Sequence, residues 1–365
     1  RFIRECGEDP TLYPTWTEAD EPWQFLAFCL EWHAMREAEE AGEVFMSRLP
    51  VAMDGSNNGL QLYSLALRDT RGGVSTNVVP SEVPQDIYQE VADVVTARLE
   101  VDSESLDEKV RDKARAWLSF TDGRIPRGCP KRPVMVQPYG GTLYSCREYV
   151  EDWYDDELSA RQLKDDRPFT ETFDYTRYLA KHVWVAIEEI VVGARTGMEW
   201  LQACAGVIAA LNKPLVWRSP CGFYVTQFKE SQKSMLVQTK MEHRIIVLRL
   251  RVGKGDVSNR GMVNGIAPNF VHSLDASILV NTINKCVSLG ITELAMVHDS
   301  YATHAAHAAT LAGVLRRVTL DIFSKDVLQD FKDQVEERYN VVLPDLPEYG
   351  DLDPEVLLES KYFFA

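Results

Sequence analysis

The chain has 365 residues, 45% of them hydrophobic and 26% charged, enough apolar material for a large core and for two or three substructures. No stretch approaches the roughly 20 apolar residues of a membrane span, and nothing at the start resembles a signal sequence, so an intracellular globular protein without a membrane partner is expected. The formal charge of -16 argues against a uniformly basic nucleic-acid binder, but residues 229–260 carry eight basic against three acidic side chains, so any nucleic-acid surface must be local.

Arg1 falls inside a segment that already reads as folded, and a further N-terminal part, in the same or a separate polypeptide, is expected to belong with this chain. Pro22 to Ala38 has an amphipathic helical pattern, followed by a strand-like Leu49-Pro50-Val51-Ala52-Met53 that stops at Asp54 and Gly55. A helix from about Asn58 to Leu67 should follow. The middle of the chain, roughly Pro80 to Pro268, reads as mostly helical, with Pro84 to Leu99 and Tyr178 to Leu211 the clearest helices. Between Phe223 and Val252 β-branched and basic residues alternate, which predicts a hairpin. The last part offers a helix from about Asn269 to Leu289, then Leu294 to Val297 as a strand running into His298-Asp299, with Tyr301-Ala302-Thr303 returning. Seven scattered cysteines lack the paired spacing of zinc sites or a disulfide framework and read as reduced structural thiols.

Asp54 and Asp299 each follow an apolar strand, where a carboxylate can be held by the core and still face a cleft. They are a candidate metal pair, since carboxylates suit Mg²⁺, and two such ions about 4 Å apart can stabilise both oxygens of an in-line displacement. Taken alone, either Asp reads first as a strand-end turn or a helix cap, and only the combination with other motifs reverses that. Arg127, Lys131, Met135 and Tyr139 recur every four residues along one helical face, with cations at one end and a ring at the other. Lys131 and Tyr139 would be separated by about 12 Å on a helix, near the span from a nucleotide's triphosphate to its sugar. Pro130 and Pro133 suit a helix start, and Pro138 should kink or close the helix before Tyr139-Gly140. A solvated basic face with a buried Tyr is the competing reading of this segment.

Four ordered segments carry a resemblance: Asp54-Gly-Ser-Asn-Asn-Gly-Leu-Gln61, the stretch from Arg127 to Gly140, Pro268-Asn-Phe-Val-His272-Ser-Leu-Asp275, and His298-Asp299-Ser300. Together they resemble the signature motifs of single-subunit DNA-directed RNA polymerases of the phage and mitochondrial type, over essentially the whole chain. The family resemblance implies an α+β right-hand architecture, mostly helical with a small antiparallel palm sheet. Residues 1–80 and 269–365 would form the palm and 81–268 the fingers.

It also implies that Asp54 and Asp299 bind two Mg²⁺ ions with help from the Gly55 carbonyl, and that Lys131, Arg127 and Arg132 meet the triphosphate. Tyr139 would help select a ribose, His272 would lie near the 2′-hydroxyl and the growing duplex, Tyr88 would stand beside the incoming nucleotide, and Tyr139-Gly140 would touch nucleic acid. Arg249 and Arg251, on one face of the basic hairpin, match the loop that reads promoter bases, with a solvated edge hairpin as the plain reading. Implied partners are a DNA template and promoter, ribonucleoside triphosphates and the RNA product, in the cytoplasm of a bacterial host ahead of a mitochondrial matrix. Related DNA polymerases carry a Glu at the fifth residue after the first metal-binding Asp to block a 2′-hydroxyl; here that residue is Gly59, which favours RNA synthesis. A catalytically dead nucleic-acid-binding scaffold is the alternative from another class, opposed by the presence of both Asp and Lys131. Departures from the phage pattern stand at Leu62 and Pro138 and in the short loops of the fingers.

Overall fold

The computed structural model describes residues 2–163, 167–169, 171–242 and 244–364. Helices α1 (Phe2–Glu8) and α2 (Pro22–Ala41) open the chain; Pro22 sits in the first turn of α2, where a missing N–H costs nothing, and Gly42 ends it in the left-handed conformation at φ 69°. Strand β1 (Pro50–Asp54) and helix α3 (Asn58–Leu67) coincide with the predicted strand and helix. The side chain of Asn57 starts α3 by accepting the Leu60 amide at 3.2 Å. All ten residues of α3 are buried, which explains why it contains no charge.

Helices α4 (Thr70–Ser75), α5 (Ile87–Asp102) and α6 (Glu108–Phe120) each begin at an Asp that caps free amides, Asp69, Asp86 and Asp107 respectively. Helix α7 (Gly128–Val136) tightens into a 3₁₀ turn at Gln137–Tyr139, so Pro138 closes the α-helix where the sequence predicts. Helix α8 (Leu143–Ala160) starts from a reciprocal Thr142–Ser145 cap and is followed by α9 (Thr172–Ile190) and α10 (Val192–Ala210). Then come β2 (Leu215–Arg218), β3 (Tyr224–Gln227), β4 (Glu230–Met241), β5 (Arg244–Val257), α11 (Asn259–Ser288), β6 (Leu294–Val297), β7 (Ser300–His304), α12 (Ala308–Phe323) and α13 (Val327–Tyr339). The strands pair as β1-β7-β6, β2-β3 and β4-β5, all antiparallel. A mostly helical α+β chain is therefore what folds. Among the described residues no helix is long and apolar enough to cross a membrane.

Three sequence expectations are corrected. The helix predicted over Tyr178 to Leu211 is two helices, broken at Val191 (φ -113°, ψ 52°). The break leaves the Gly193 amide without a helical carbonyl, and it donates instead to Asp69 Oδ2 at 3.2 Å. The other oxygen of Asp69 takes the Gly72 amide at 3.2 Å, so one carboxylate serves the starts of α4 and α10. Secondly, α11 begins at Asn259 and runs through Pro268 rather than starting after it. Pro268 has no amide for the Asn264 carbonyl, and that oxygen lies 3.8 Å from where a Cβ on Gly140 would stand. Thirdly, the predicted hairpin is displaced. Tyr224–Gln227 pairs back onto Leu215–Arg218, and the long ribbon is β4–β5, in unbroken register from Met241↔Arg244 to Gln232↔Gly253. Alternation marks a strand but does not name its neighbour.

The chain divides into two compact units: one runs to Asp54 and resumes over Thr282–Leu315, and the other holds Gly55–Asn281 and the chain from Arg316 on. In the first, α1 packs on α2 through Phe2 and Phe25, with ring centroids 5.7 Å apart, over buried Cys6 and Cys29. In the second, Trp117, Phe120, Tyr154 and Phe169 form an aromatic cluster, its closest pair, Trp117–Phe169, edge-on at 4.7 Å. The Trp117 indole N–H donates to the Tyr175 carbonyl at 3.0 Å, as a buried indole must to avoid an unmet donor. All seven cysteines are free thiols, and all but Cys221 are buried, as structural thiols should be.

Candidate active site

In the first unit β7 is the central strand. Asp54 stands opposite Ser300 and Met53 opposite Tyr301, while Val297 pairs with Ser300 on the other side. The loop between β6 and β7 is thus two residues, His298-Asp299, with His298 in the left-handed region at φ 53°. Buried Met53 and Tyr301 hold the two strands in the core. Asp54 and the tip residue Asp299 accordingly occupy the same end of one sheet, Asp54 exposed and Asp299 half-buried. Among the described residues no group of three or more His, Cys, Asp or Glu forms a metal cage. Two carboxylates with a neighbouring backbone carbonyl are a hard-oxygen set of the kind Mg²⁺ takes, completing its shell with water and phosphate.

Gly55, the first residue of the second unit, bridges to Phe364 near the chain end. A Cβ there would stand 2.8 Å from Gln61 Oε1. The same Gln61 amide donates to the Thr76 and Phe363 carbonyls at 2.8 and 2.9 Å, so α3 and the C-terminal tail meet at Gly55.

Arg127, Lys131 and Met135 are exposed along one side of α7, opposite buried Cys129, Pro130, Pro133 and Val134, as the four-residue spacing predicts. The three cations differ in their surroundings. Arg127 is ion-paired to Asp86 and lies over the Tyr88 ring at 4.9 Å; Arg132 pairs with Asp152 at 3.2 Å. Lys131 is exposed and makes no ion pair among the described residues, so it is the cation most available to an anion. Exposed pairs of this kind contribute about 0–1 kcal/mol, so a triphosphate can compete for Arg127 and Arg132 too. The Tyr88 hydroxyl donates to the Ser56 carbonyl at 3.3 Å and accepts from Asn57 Nδ2 at 3.4 Å, which anchors the ring just after Gly55.

Tyr139 and His272 are brought together: their rings stack with centroids 5.0 Å apart and planes 25° from parallel. Gly140 turns the chain away in the left-handed conformation at φ 88°, its amide donating to Gln137 O at 3.1 Å. Gly59 lies under this turn. A Cβ on Gly59 would meet Pro138 Cγ at 2.8 Å and Tyr139 Cζ at 3.1 Å. One helical turn further along α3, Tyr63 is 2% exposed, and burial, reinforced by the nearby Tyr139 phenol, drives its own phenol well above the usual tyrosine range. Its hydroxyl meets no hydrogen-bond partner among the described residues. Asn58 Nδ2 donates to Asp275 Oδ1 at 2.8 Å, tying α3 to the His272 face of α11.

On the ribbon, Arg249 faces Leu236 and Arg251 faces Ser234 across the ladder, on one side, and Arg244 is on the other, as strand alternation predicts. The ribbon is held at its base, where Asn212 Oδ1 accepts the Val257 amide and Glu230 Oε1 the Gly255 amide, each at 2.7 Å.

Sequence reasoning missed Asp86, Asp152, the Asn58–Asp275 bond, Tyr63 and the contact of Pro138 with Gly59. Asp86 was open to discovery, since an Asp before an apolar-periodic run is a helix-cap signal. The others are long-range pairs with no local signature.

The sequence model of the DNA-dependent RNA polymerase family matches residues 2–343. DNA-directed RNA polymerase 2, chloroplastic/mitochondrial, of Arabidopsis thaliana is 33% identical over 359 residues, covering 96% of this chain and 33% of that protein. The mitochondrial DNA-directed RNA polymerase of Mus musculus is 32% identical over 390 residues, covering all of this chain and 30% of the mouse protein. That of Schizosaccharomyces pombe is 30% identical over 392 residues, 96% of this chain and 32% of its own. The chain spans about a third of the length of the curated relatives it matches. With its motifs in family order and a match along nearly its whole length, the chain belongs to the DNA-dependent RNA polymerase family.

Proposed function

We propose that this chain performs the nucleotide-addition step of DNA-templated RNA synthesis, joining ribonucleoside triphosphates to an RNA 3′-hydroxyl. The observation that carries the proposal is the β1–β7–β6 register, which gathers Asp54 and Asp299, remote in sequence, at one end of a sheet. On the family motifs we also read residues 1–80 and 269–365 as the palm and residues 81–268 as the fingers. Asp54, Asp299 and the Gly55 carbonyl are the groups that would hold two Mg²⁺ ions. When bound, such ions supply Lewis-acid stabilisation to the attacking hydroxyl and the phosphate oxygens.

The chain's own residues divide the remaining work. Lys131, with Arg127 and Arg132, neutralises the triphosphate; Tyr139 and His272 border the sugar; Tyr88 and Gly140 lie beside the nucleotide and template. Arg249 and Arg251 on the exposed ribbon contact promoter DNA. On the phage-type motif order we place the chain in the cytoplasm of a bacterial host, and cell fractionation that recovers it in an organelle, as the names of its relatives suggest for them, overturns that part.

The test is extension of an RNA primer on a DNA template by the intact polypeptide with Mg²⁺ and all four ribonucleotides. Template-directed RNA product is expected. Preference for deoxynucleotides would identify a DNA polymerase instead, and no extension with either set would identify a nucleic-acid-binding scaffold.

A further inference from the structure

We propose that Pro138 and Gly59 form a positioning pair that sets the Tyr139 phenol for sugar selection. The proposal rests on the reading of Tyr139 as the sugar-sensing group. Its basis is the way two segments distant in sequence share one point of contact. From the Cβ position of Gly59, Pro138 Cγ lies at 2.8 Å, Pro138 Cβ at 3.0 Å and Tyr139 Cζ at 3.1 Å. Cζ is the ring carbon that bears the hydroxyl, so the glycine of α3 is a floor for both the proline ring and the working end of the phenol. Real Cβ contacts do not close to 2.8 Å against a ring that cannot fold away, so any side chain at residue 59 must displace the 137–139 turn.

The turn itself has little freedom. Proline fixes its own φ, Gly140 closes the turn in a left-handed conformation that other residues adopt at a cost, and the Gly140 amide is tied to Gln137 O. Pro138 is buried, which leaves its ring no route outward. The Tyr139 ring is also stacked on His272. The phenol is thus held between α3 and α11, and its height above α3 is set by the proline ring. Gly59 therefore acts inside the protein, through Pro138, in addition to any room it leaves for a 2′-hydroxyl. The motif reading assigns Gly59 the second role only and treats Pro138 as a departure from the pattern; the contact makes the two residues partners.

The two roles separate in a double-mutant cycle in the intact polypeptide, using kcat/KM for a ribonucleotide and for the matching deoxynucleotide on a preformed primer and template. Gly59→Ala and Pro138→Gly are each expected to lower the ribo-to-deoxy ratio by about tenfold, and the double variant by about tenfold again in total, because the second change acts on an element the first has already released. Pro138→Ala, which keeps Cβ and loses Cγ, is expected to fall between wild type and Pro138→Gly. A shift of the phenol raises deoxynucleotide use, whereas general loss of folding lowers both substrates together, and thermal midpoints of all variants check that distinction.

The pair is overturned if the double variant shows the product of the two single effects, about a hundredfold, or if Pro138→Gly leaves the ratio at the wild-type value. Tyr139→Phe in the wild-type background is measured alongside. An unchanged ratio there removes the reading of Tyr139 itself, while a changed ratio with additive singles removes only the positioning pair.

Discussion

Asp54 pairs across the sheet with Ser300, the residue after Asp299, so the register of β1 on β7 fixes both carboxylates at one end of the same three strands. Asp54→Asn or Asp299→Asn is expected to reduce nucleotide addition by orders of magnitude with the fold retained, because each keeps the size of the side chain and removes only its charge, at positions that are exposed and half-buried respectively. Single-turnover extension of a preformed primer checks this. A variant keeping more than about a tenth of the rate, roughly 1.4 kcal/mol of barrier, would remove that Asp from the metal set.

The Tyr139–His272 stack holds the phenol ring by its face, independently of its hydroxyl. Tyr139→Phe is therefore expected to keep most extension activity while raising deoxynucleotide incorporation, measured as the ratio of kcat/KM values. An unchanged ratio would transfer sugar discrimination to Gly59 and His272.

Tyr63 buries a hydroxyl that meets no partner among the described residues, and an unmet buried polar group costs about 1–3 kcal/mol. Tyr63→Phe is expected to raise the denaturant midpoint. The phenol also couples folding to alkali: its folded-state value is raised, so its share of stability is whole below the unfolded tyrosine value of about 10 and is lost as pH climbs beyond it. Tyr63→Phe should delay alkaline unfolding. A lowered midpoint at neutral pH would show that the hydroxyl has a stabilising partner.

A Cβ on Gly193 would stand 2.6 Å from Asp69 Oδ2. Gly193→Ala is expected to destabilise the chain by about 1–3 kcal/mol, as overpacking at a filled site does. In an Asp69→Ala background the added loss should shrink, since the obstructing carboxylate is gone. Equal losses in both backgrounds, by chemical denaturation, would mean that the helix break at Val191 does not depend on this contact.

Arg249 and Arg251 project from one face of a ribbon anchored at its base. Alanine at both is expected to impair promoter-dependent initiation by the intact polypeptide far more than extension of a preassembled primer and template. If they contact base edges, promoter preference changes; if they contact phosphates, all sequences weaken alike and the salt slope falls by about one unit per lost contact. Unchanged initiation and promoter choice would leave the ribbon without a part in DNA binding.

Local features of the site were legible before any fold was known. Helix α3 is expected over Asn58 to Leu67, the α7 face follows from a four-residue spacing closed by Pro138, and the His298-Asp299 turn from two short strands around a polar pair. Each depends on residues within one or two turns of one another, so intrinsic preference and periodicity suffice. The composition likewise showed that basic charge is concentrated at the ribbon within an acidic chain.

What only the tertiary structure decided involves partners far apart in the chain. Which strand takes Tyr224–Gln227, where the long helix breaks, and whether Pro268 may sit inside a helix are settled by distant groups: Leu215–Arg218, the Asp69 carboxylate and the packing of α11. The charge balance of α7 is decided in the same way, since Asp86 and Asp152 pair with Arg127 and Arg132 and leave Lys131 without an ion pair among the described residues. A sequence motif specifies which side chains are present; the surroundings that determine how each one acts come from contacts whose free energy exists only once the chain has closed on itself.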